Sequence, residues 1–262
     1  MSVKFGMCTS AKDLERIKKL AEIGYDYVEI NFTGMTEMPE DEFEAFLKVL
    51  EETNFKCEAA NCFIPGEIKL TGENVDYDKV REFVSKGMAR AERAGIKSVV
   101  FGSGGARRVP EGFPMDKAYE QLVKFLKEYA GPIAARHGVA IAIEPLRSQE
   151  TNIINKVSEG VELARKVGLP NVKGLGDIYH MATEYDSDDE LAKFRGEIQH
   201  THISHPLTRY APKKDDGYDY SVFLKAVIDS GCERCSVEGR LDNFPEDAVE
   251  ALEVLKNAVK NI

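Results

Sequence analysis

Four acidic or imidazole side chains lie near the predicted ends of four successive strands. They are Glu144 in VAIAIEP, Asp177 in VKGLGDIYH, His202 in IQHTHIS and Glu238 in RCSVEG. Carboxylate oxygens and imidazole nitrogens are ligands that divalent cations such as Mn²⁺ or Mg²⁺ take in proteins. If the four strands end at one face of a sheet, these side chains converge and predict a single metal site.

Short β-branched runs alternate with amphipathic stretches about eight times, which is the pattern of βα units around a parallel sheet. The 262 residues fit one α/β domain, a (β/α)8 TIM barrel over residues 1–262, in which all strand ends meet at one mouth. The predicted strands are 3–8, 25–31, 56–63, 98–104, 139–145, 172–177, 198–204 and 234–239. The predicted helices lie near 11–22, 40–53, 78–93, 116–137, 157–167, 188–195, 220–230 and 245–261.

Strand periodicity indicates which of these side chains enter the barrel. Alternate residues of a strand share a face, so Glu144 points the same way as Ala142, into the interior. The same parity places His200 one layer below His202, where a buried hydrogen-bonded role is favoured over metal ligation. Glu29, near the end of the second strand, has two possible roles. It could form hydrogen bonds or serve as an additional acid at the mouth, or it could fix the barrel's own loops.

Composition limits the classes of function. Acidic residues outnumber basic ones by 45 to 35, and a net charge of −10 disfavours binding to nucleic acid. No apolar run approaches the roughly 20 residues that span a bilayer, and no secretion signal is evident, so the sequence predicts a cytoplasmic protein without membrane association. The five cysteines are an odd count that argues against a disulfide framework, and Cys62 is expected to pack.

The motifs around these residues resemble one known family. EPLRSQETNIIN, GDIYHM, HTHISHPLTR and SVEGR are similar to motifs of the sugar phosphate isomerase/epimerase family, a group of xylose-isomerase-like TIM barrels that includes ketose 3-epimerases. The resemblance spans nearly the whole chain. It implies a metal site of Glu144, Asp177, His202 and Glu238, with Mn²⁺ as the expected ion and Mg²⁺, Co²⁺ or Zn²⁺ as alternatives.

The resemblance also implies which residues serve a sugar substrate. Glu150, His180 and Arg209 would assist at the substrate, although spacing alone leaves a surface role open for Glu150. A homo-oligomer, either a dimer or a tetramer, is expected on the same ground.

Two further residues are assigned to substrate binding from their places in the sequence. Arg107 follows a Gly-rich turn at the fourth strand, where it would receive a phosphate or carboxylate or would instead pair with Glu111. Asn61 ends the third strand and is expected to line the pocket.

These residues favour proton transfer next to a carbonyl group. A metal-stabilised enediolate with Glu144 and Glu238 as base and acid gives epimerisation of a monosaccharide or keto-sugar, or isomerisation when the proton returns to the adjacent carbon. The same enolate could expel a β-substituent, as in inosose dehydratases or keto-glycoside deglycosylation, where a partner subunit is sometimes needed. A non-catalytic sugar-binding subunit is the third alternative.

Overall fold

Eight parallel strands close into a barrel in the order in which they occur along the chain. The computed structural model describes residues 3–260 and 262. The strands are β1 Lys4–Thr9, β2 Tyr27–Asn31, β3 Lys56–Asn61, β4 Ser98–Phe101, β5 Ala140–Ile143, β6 Val172–Asp177, β7 Ile198–Ile203 and β8 Arg234–Val237. The predicted single-domain (β/α)8 barrel is confirmed. Its predicted extent of 1–262 stays a prediction, because residues 1, 2 and 261 lie outside the described residues.

Helices connect successive strands on the outside of the barrel. They are α1 Leu14–Ile23, α2 Phe32–Glu37, α3 Glu40–Thr53, α4 Tyr77–Ala94, α5 Gly104–Arg107, α6 Met115–Lys124, α7 Gly131–Arg136, α8 Val157–Val167, α9 Ile178–Thr183, α10 Ser221–Ser230 and α11 Glu246–Lys260. A π-helical segment, Phe125–Ala130, joins α6 to α7, and the predicted helix at 188–195 is a 3-10 segment, Glu190–Phe194. None of the helices in the described part of the chain combines the length and apolar character needed to cross a bilayer.

The barrel interior has an apolar layer below the mouth. Val100, Ala142 and Leu175 form a buried cluster of their own, separate from the larger core between strands and helices. Because Ala142 belongs to this cluster, the inward parity predicted for β5 is confirmed. Gly6 leaves room for the ring of Tyr27, since a Cβ at Gly6 would lie 2.2 Å from that ring.

Five strands, β3, β4, β5, β7 and β8, end one to three residues earlier at the mouth than predicted, although hydrogen bonds continue beyond the ends of β5 and β8. β5 ends one residue before Glu144, and β8 ends one residue before Glu238. The backbone N–H groups of Glu144 and Glu238 still donate to the carbonyl groups of Phe101 and Ile203, both at 3.1 Å. These bonds hold both glutamates in register at the carboxyl end of the barrel.

Candidate metal centre

Glu144, Asp177, His202 and Glu238 meet at the carboxyl end of the barrel. Each offers one ligand atom, and the four atoms lie within 4.8 Å of one another. Asp177 and His202 occupy paired positions of β6 and β7. The structure therefore brings together all four residues of the predicted set, as a buried Glu/His/Asp group consistent with a metal site, while the role of each as a ligand stays a prediction.

His202 lies at the centre of this group. Its Nδ1 is 3.1 Å from Glu144 Oε1, 3.5 Å from Glu238 Oε2 and 3.7 Å from Asp177 Oδ2. Carboxylates this close repel one another unless a positive charge lies between them. Burial opposes protonation of His202, but Glu29 and Glu238 outweigh it and raise its pKa well above the usual value. A proton on Nδ1 or a divalent cation meets the same need, so the donor set fits a cation.

The other nitrogen of His202 is held from below by Glu29. His202 Nε2 lies 2.9 Å from Glu29 Oε1, and His200 Nε2 lies 2.7 Å from Glu29 Oε2, with all three side chains buried. A carboxylate that accepts from Nε2 leaves Nδ1 free to face a metal, which is the usual arrangement behind a ligating histidine. Glu29 thus contacts both histidines, and His200 has the hydrogen-bonded place that the sequence favours.

Burial shifts the pKa values of Glu29 and His200 in opposite directions, and the interaction between the two groups opposes both shifts. Burial alone would raise the pKa of Glu29, but His202 and His200 outweigh it and lower this pKa. Burial lowers the pKa of His200, against the effect of Glu29. Glu29 is therefore the ionised member, and a neutral His200 donates its Nε2 proton to it.

Asp177 has two roles in the local structure. Its Oδ1 accepts from the backbone N–H groups of Tyr179 at 2.7 Å and His180 at 3.3 Å, so it caps the start of α9. Burial alone would raise the pKa of Asp177, yet His180 and His202 lower it. An ionised carboxylate fixed by a helix start is directed at the cluster with little freedom to move.

Glu238 is oriented by two polar side chains. Arg209 Nη2 donates to its Oε2 at 2.8 Å, and Asn61 Nδ2 donates to its Oε1 at 3.1 Å. Burial and the neighbouring carboxylates of Glu144 and Asp177 raise the pKa of Glu238 to about 8, against the lowering effects of His202 and Arg209. Asn61 and Arg209 therefore contact a member of the cluster directly.

Glu150 belongs to a charged group at the rim of the mouth. Its Oε1 accepts from Arg147 Nε at 2.7 Å and lies 3.7 Å from Arg209 Nη1. Arg147 also donates to the Tyr179 hydroxyl at 2.6 Å, and the guanidinium groups of Arg147 and Arg209 both pack on the Tyr179 ring. Arg147 and Tyr179 were not predicted as site residues, although they lie inside the EPLRSQE and GDIYHM motifs.

The cluster opens into a cavity of about 330 Å³ at the barrel mouth. Its polar lining includes Asn61, Glu144, Glu150, His180, Arg209 and Glu238, and its other wall includes Cys62 and four glycines at 66, 102, 104 and 105. A Cβ at Gly102 would lie 2.2 Å from Glu144 Oε2, so this position leaves room for the carboxylate only as glycine.

His180 lies in the wall of this cavity. Its Nδ1 accepts from the backbone N–H of Arg147 at 3.3 Å, so the neutral tautomer carries its proton on Nε2. The structure thus assembles Glu150, His180, Arg209 and Asn61, all predicted for substrate binding, around one opening beside the acidic cluster.

Arg107 corrects one expectation. Its side chain is fully buried, and its guanidinium donates to the carbonyl groups of Phe101 at 3.0 Å and Ile154 at 3.1 Å. Burial lowers the pKa of Arg107 to about 10, against the opposing effect of Glu144 and Glu159. The guanidinium supports the loop at Ile154, makes no ion pair with Glu111 and lies outside the lining of the cavity, so its buried position does not suit it to bind a substrate.

Comparisons with known proteins agree with this architecture. The sequence matches the family described as a xylose isomerase-like TIM barrel over residues 17–258. D-psicose 3-epimerase of Agrobacterium fabrum (strain C58) is 26% identical over 246 residues, which make up 85% of this chain and 82% of that protein.

Two solved structures illustrate the likeness in fold. D-psicose 3-epimerase with D-tagatose from Clostridium cellulolyticum H10 superposes with a TM-score of 0.84 at 17% identity, covering 98% of this chain and 99% of that one. The apo form of 3-keto-D-glucoside 4-epimerase from E. coli gives a TM-score of 0.81 at 19% identity, covering 98% and 100%.

Proposed function

Because the chain belongs to the xylose isomerase-like TIM barrel family, we propose that it is a divalent-metal-dependent isomerase or epimerase of a keto-sugar. One observation carries the proposal: three carboxylates and one imidazole offer ligand atoms within 4.8 Å of one another beside a cavity of sugar size. The relatives compared above are sugar epimerases, which supports the same reaction class.

Glu144, Asp177, His202 and Glu238 would hold the cation, for which we propose Mn²⁺. Carboxylate oxygens and a single neutral imidazole suit Mn²⁺ or Mg²⁺ better than a thiophilic ion. When bound, the cation supplies Lewis acidity next to the carbonyl group and orients the substrate. Glu29 keeps Nδ1 of His202 available by accepting from Nε2 at 2.9 Å.

Glu144 and Glu238 would move the proton. Both line the cavity, and a carboxylate oxygen of each lies 3.1 or 3.5 Å from the same nitrogen, His202 Nδ1, so the two carboxylates face the same end of the cavity. One glutamate removes the proton from a carbon next to the carbonyl, and the other returns a proton to the opposite face, which inverts the centre. Arg209 and Asn61 fix the Glu238 carboxylate during both steps.

The charges around the cavity favour an uncharged sugar over a phosphorylated one. Arg209 is the single Lys or Arg side chain among the residues described as lining it, and its guanidinium is already 2.8 Å from Glu238 and 3.7 Å from Glu150. Arg107, the other candidate for a phosphate, is buried behind the wall. Glu150, His180 and Asn61 instead offer hydrogen bonds suited to hydroxyl groups.

Solvent-deuterium incorporation into a panel of free ketoses and keto-glucosides tests the reaction class. With saturating Mn²⁺, the wild type should exchange a carbon-bound proton in at least one sugar. Glu144→Gln and Glu238→Gln should each lose about 100-fold or more of this rate, the range for removal of a general acid or base. Metal content is measured in parallel, so that loss of proton transfer is separated from loss of the cation.

Glu58→Gln is the matched control, because it makes the same change at the opposite end of the barrel. Unchanged exchange in both active-site variants would overturn the proton-transfer roles. No exchange with any sugar by a metal-loaded wild type would overturn the proposed reaction. A dehydrated or deglycosylated product would replace epimerisation by the lyase alternative.

The protein is also proposed to be a homo-oligomer of two or four subunits. Light scattering of the peak that elutes from a size-exclusion column measures its mass and so the number of subunits.

A further inference from the structure

Cys8 brings a sulfur atom to the edge of the acidic cluster. It pairs with Glu29 in the register of β1 and β2, and it shares the inward face that carries Glu29. Cys8 had no role assigned from the sequence. In the structure its side chain is only half-buried.

The thiol is near enough to two cluster residues to share an ion with them. Cys8 Sγ, one His202 nitrogen and one Glu238 oxygen lie within 4.8 Å of one another. The group therefore shares His202 and Glu238 with the four-residue set and replaces Glu144 and Asp177 by sulfur. Thiolate is a soft ligand that prefers zinc-like ions, whereas carboxylate oxygens suit Mg²⁺ and Mn²⁺.

We infer that Cys8 is a metal-selectivity residue: thiophilic cations such as Zn²⁺, Cd²⁺ and Co²⁺ take its sulfur together with His202 and Glu238, whereas Mn²⁺ and Mg²⁺ bind the carboxylate set without it. This inference rests on the proposed cation site. It implies two overlapping modes of binding at one mouth, so that a thiophilic ion competes with Mn²⁺ for the two shared residues.

Ligation exchanges a thiol proton for the cation. A cysteine thiol has an ordinary pKa of about 8.5, so the metal-free side chain is mainly a neutral thiol at neutral pH. On binding, the S–H proton leaves to solvent and the thiolate forms a bond to the metal, with no change in oxidation state. When Mn²⁺ or Mg²⁺ is bound by the carboxylate set, the neutral thiol of Cys8 adds no further negative charge to the cluster.

Cys62 provides a matched control inside the same cavity. Its side chain lines the opening beside Glu144 and Glu238. Among the described residues, however, it belongs to no group of potential ligands around His202. Removal of its sulfur should therefore leave metal binding unchanged.

Absorption spectroscopy of the Co²⁺-loaded protein tests the inference directly. The wild type and Cys62→Ser should show a sulfur-to-cobalt charge-transfer band in the near ultraviolet, which Cys8→Ser and Cys8→Ala should lack. Cd²⁺ affinity, measured by calorimetry, should fall by about 10-fold or more in both Cys8 variants, whereas Mn²⁺ affinity should stay within about twofold.

The visible d–d bands of Co²⁺ separate the possible failures. If these bands appear in the wild type without the charge-transfer band, the inference about Cys8 is overturned while the cation site stands. A charge-transfer band that persists in Cys8→Ser, or disappears in Cys62→Ser, also overturns it. If no d–d bands appear and no Co²⁺ binds, both the inference and the proposed metal-dependent function fail.

Discussion

Carboxylates are neutralised differently at the two ends of the barrel. At the amino end, Glu58 is satisfied by protein cations alone: Lys4 Nζ lies 2.8 Å from Oε1, and Arg234 Nε lies 2.6 Å from Oε2. At the carboxyl end, three carboxylates surround one imidazole, and Arg209 directly pairs with one of them, Glu238. The first arrangement is complete without a ligand, whereas the second gains from a bound cation.

This contrast separates residues that stabilise the fold from residues that prepare a site. In barrels of this kind the loops at the carboxyl end carry the chemistry, while the opposite end contributes stability. We therefore expect carboxylate changes at the mouth to alter cation binding most, and the same change at the amino end to alter the free energy of unfolding.

The largest effect is expected at Asp177. Asp177→Asn removes a charge but keeps a good helix cap, so cation affinity should fall by more than about 100-fold while stability changes little. Asp177→Ala should lose the cation and in addition about 1 kcal/mol of stability, because the N–H groups of Tyr179 and His180 lose their acceptor. Calorimetric titration and chemical denaturation measure the two effects. Equal stabilities of the two variants would show that the cap contributes nothing.

Glu29 should have the next largest effect, although it contributes no ligand to the four-residue set. Glu29→Gln weakens the hold on His202 Nε2, so cation affinity should fall by about 10- to 100-fold, as for other residues that orient a ligating histidine. The kcat/KM should recover at saturating Mn²⁺, which distinguishes a positioning residue from a catalytic one. An unchanged cation affinity would mean that the hydrogen bond between Glu29 and His202 Nε2 is not needed to orient His202.

Glu58→Gln at the amino end tests the other half of the comparison. The variant should lose about 1–3 kcal/mol of stability at neutral pH, since it weakens bonds to two charged partners. Cation affinity should not change. A measurable loss of cation binding would contradict the separation of the two ends.

The pH dependence of Glu58 follows from its lowered pKa. Burial alone would raise this pKa, but Lys4 and Arg234 outweigh burial and lower it. A lowered folded-state pKa stabilises the protein above the ordinary carboxyl pKa of about 4.3, and this contribution is lost as the pH falls through the folded value. The stability gap between wild type and Glu58→Gln should therefore narrow in acid.

The smallest effect is expected at Arg147, on the rim. Arg147→Lys removes the fork that joins Glu150 to the Tyr179 hydroxyl, so the substrate-facing groups lose orientation while the cation cluster stays intact. KM should rise by about 2- to 10-fold with kcat and Mn²⁺ affinity nearly unchanged, equivalent to one hydrogen bond. A fall in kcat with KM unchanged would place Arg147 in the chemistry instead.

The sequence was informative where a strict period applies. Alternation along β5 placed Glu144 inward beside Ala142, and the common direction of parallel strands brought Asp177 next to His202. Helix α9 was not predicted, because six residues are too few to show a 3.6-residue period. The sequence does contain its N-cap, since the side chain of Asp177 accepts from the backbone N–H of His180 three residues later.

Contacts between residues that are distant in the chain could not be predicted from the sequence. Arg107 follows a glycine-rich turn, but its burial under the loop at Ile154 depends on how two distant loops meet. Glu29 and Cys8 come from strands far from β7 in sequence, and only closure of the barrel brings them to His202. Their roles depend on three-dimensional register that no local pattern records.

A titration of Mn²⁺ followed by electron paramagnetic resonance tests the central claim most directly. We expect the wild type and Glu58→Gln to bind one Mn²⁺ per chain, and Glu144→Gln, Asp177→Asn, His202→Gln and Glu238→Gln each to bind it at least about 100-fold more weakly. If all four variants bind Mn²⁺ with the affinity of the wild type, or if the wild type binds no Mn²⁺, the four residues at the barrel mouth do not hold a single cation.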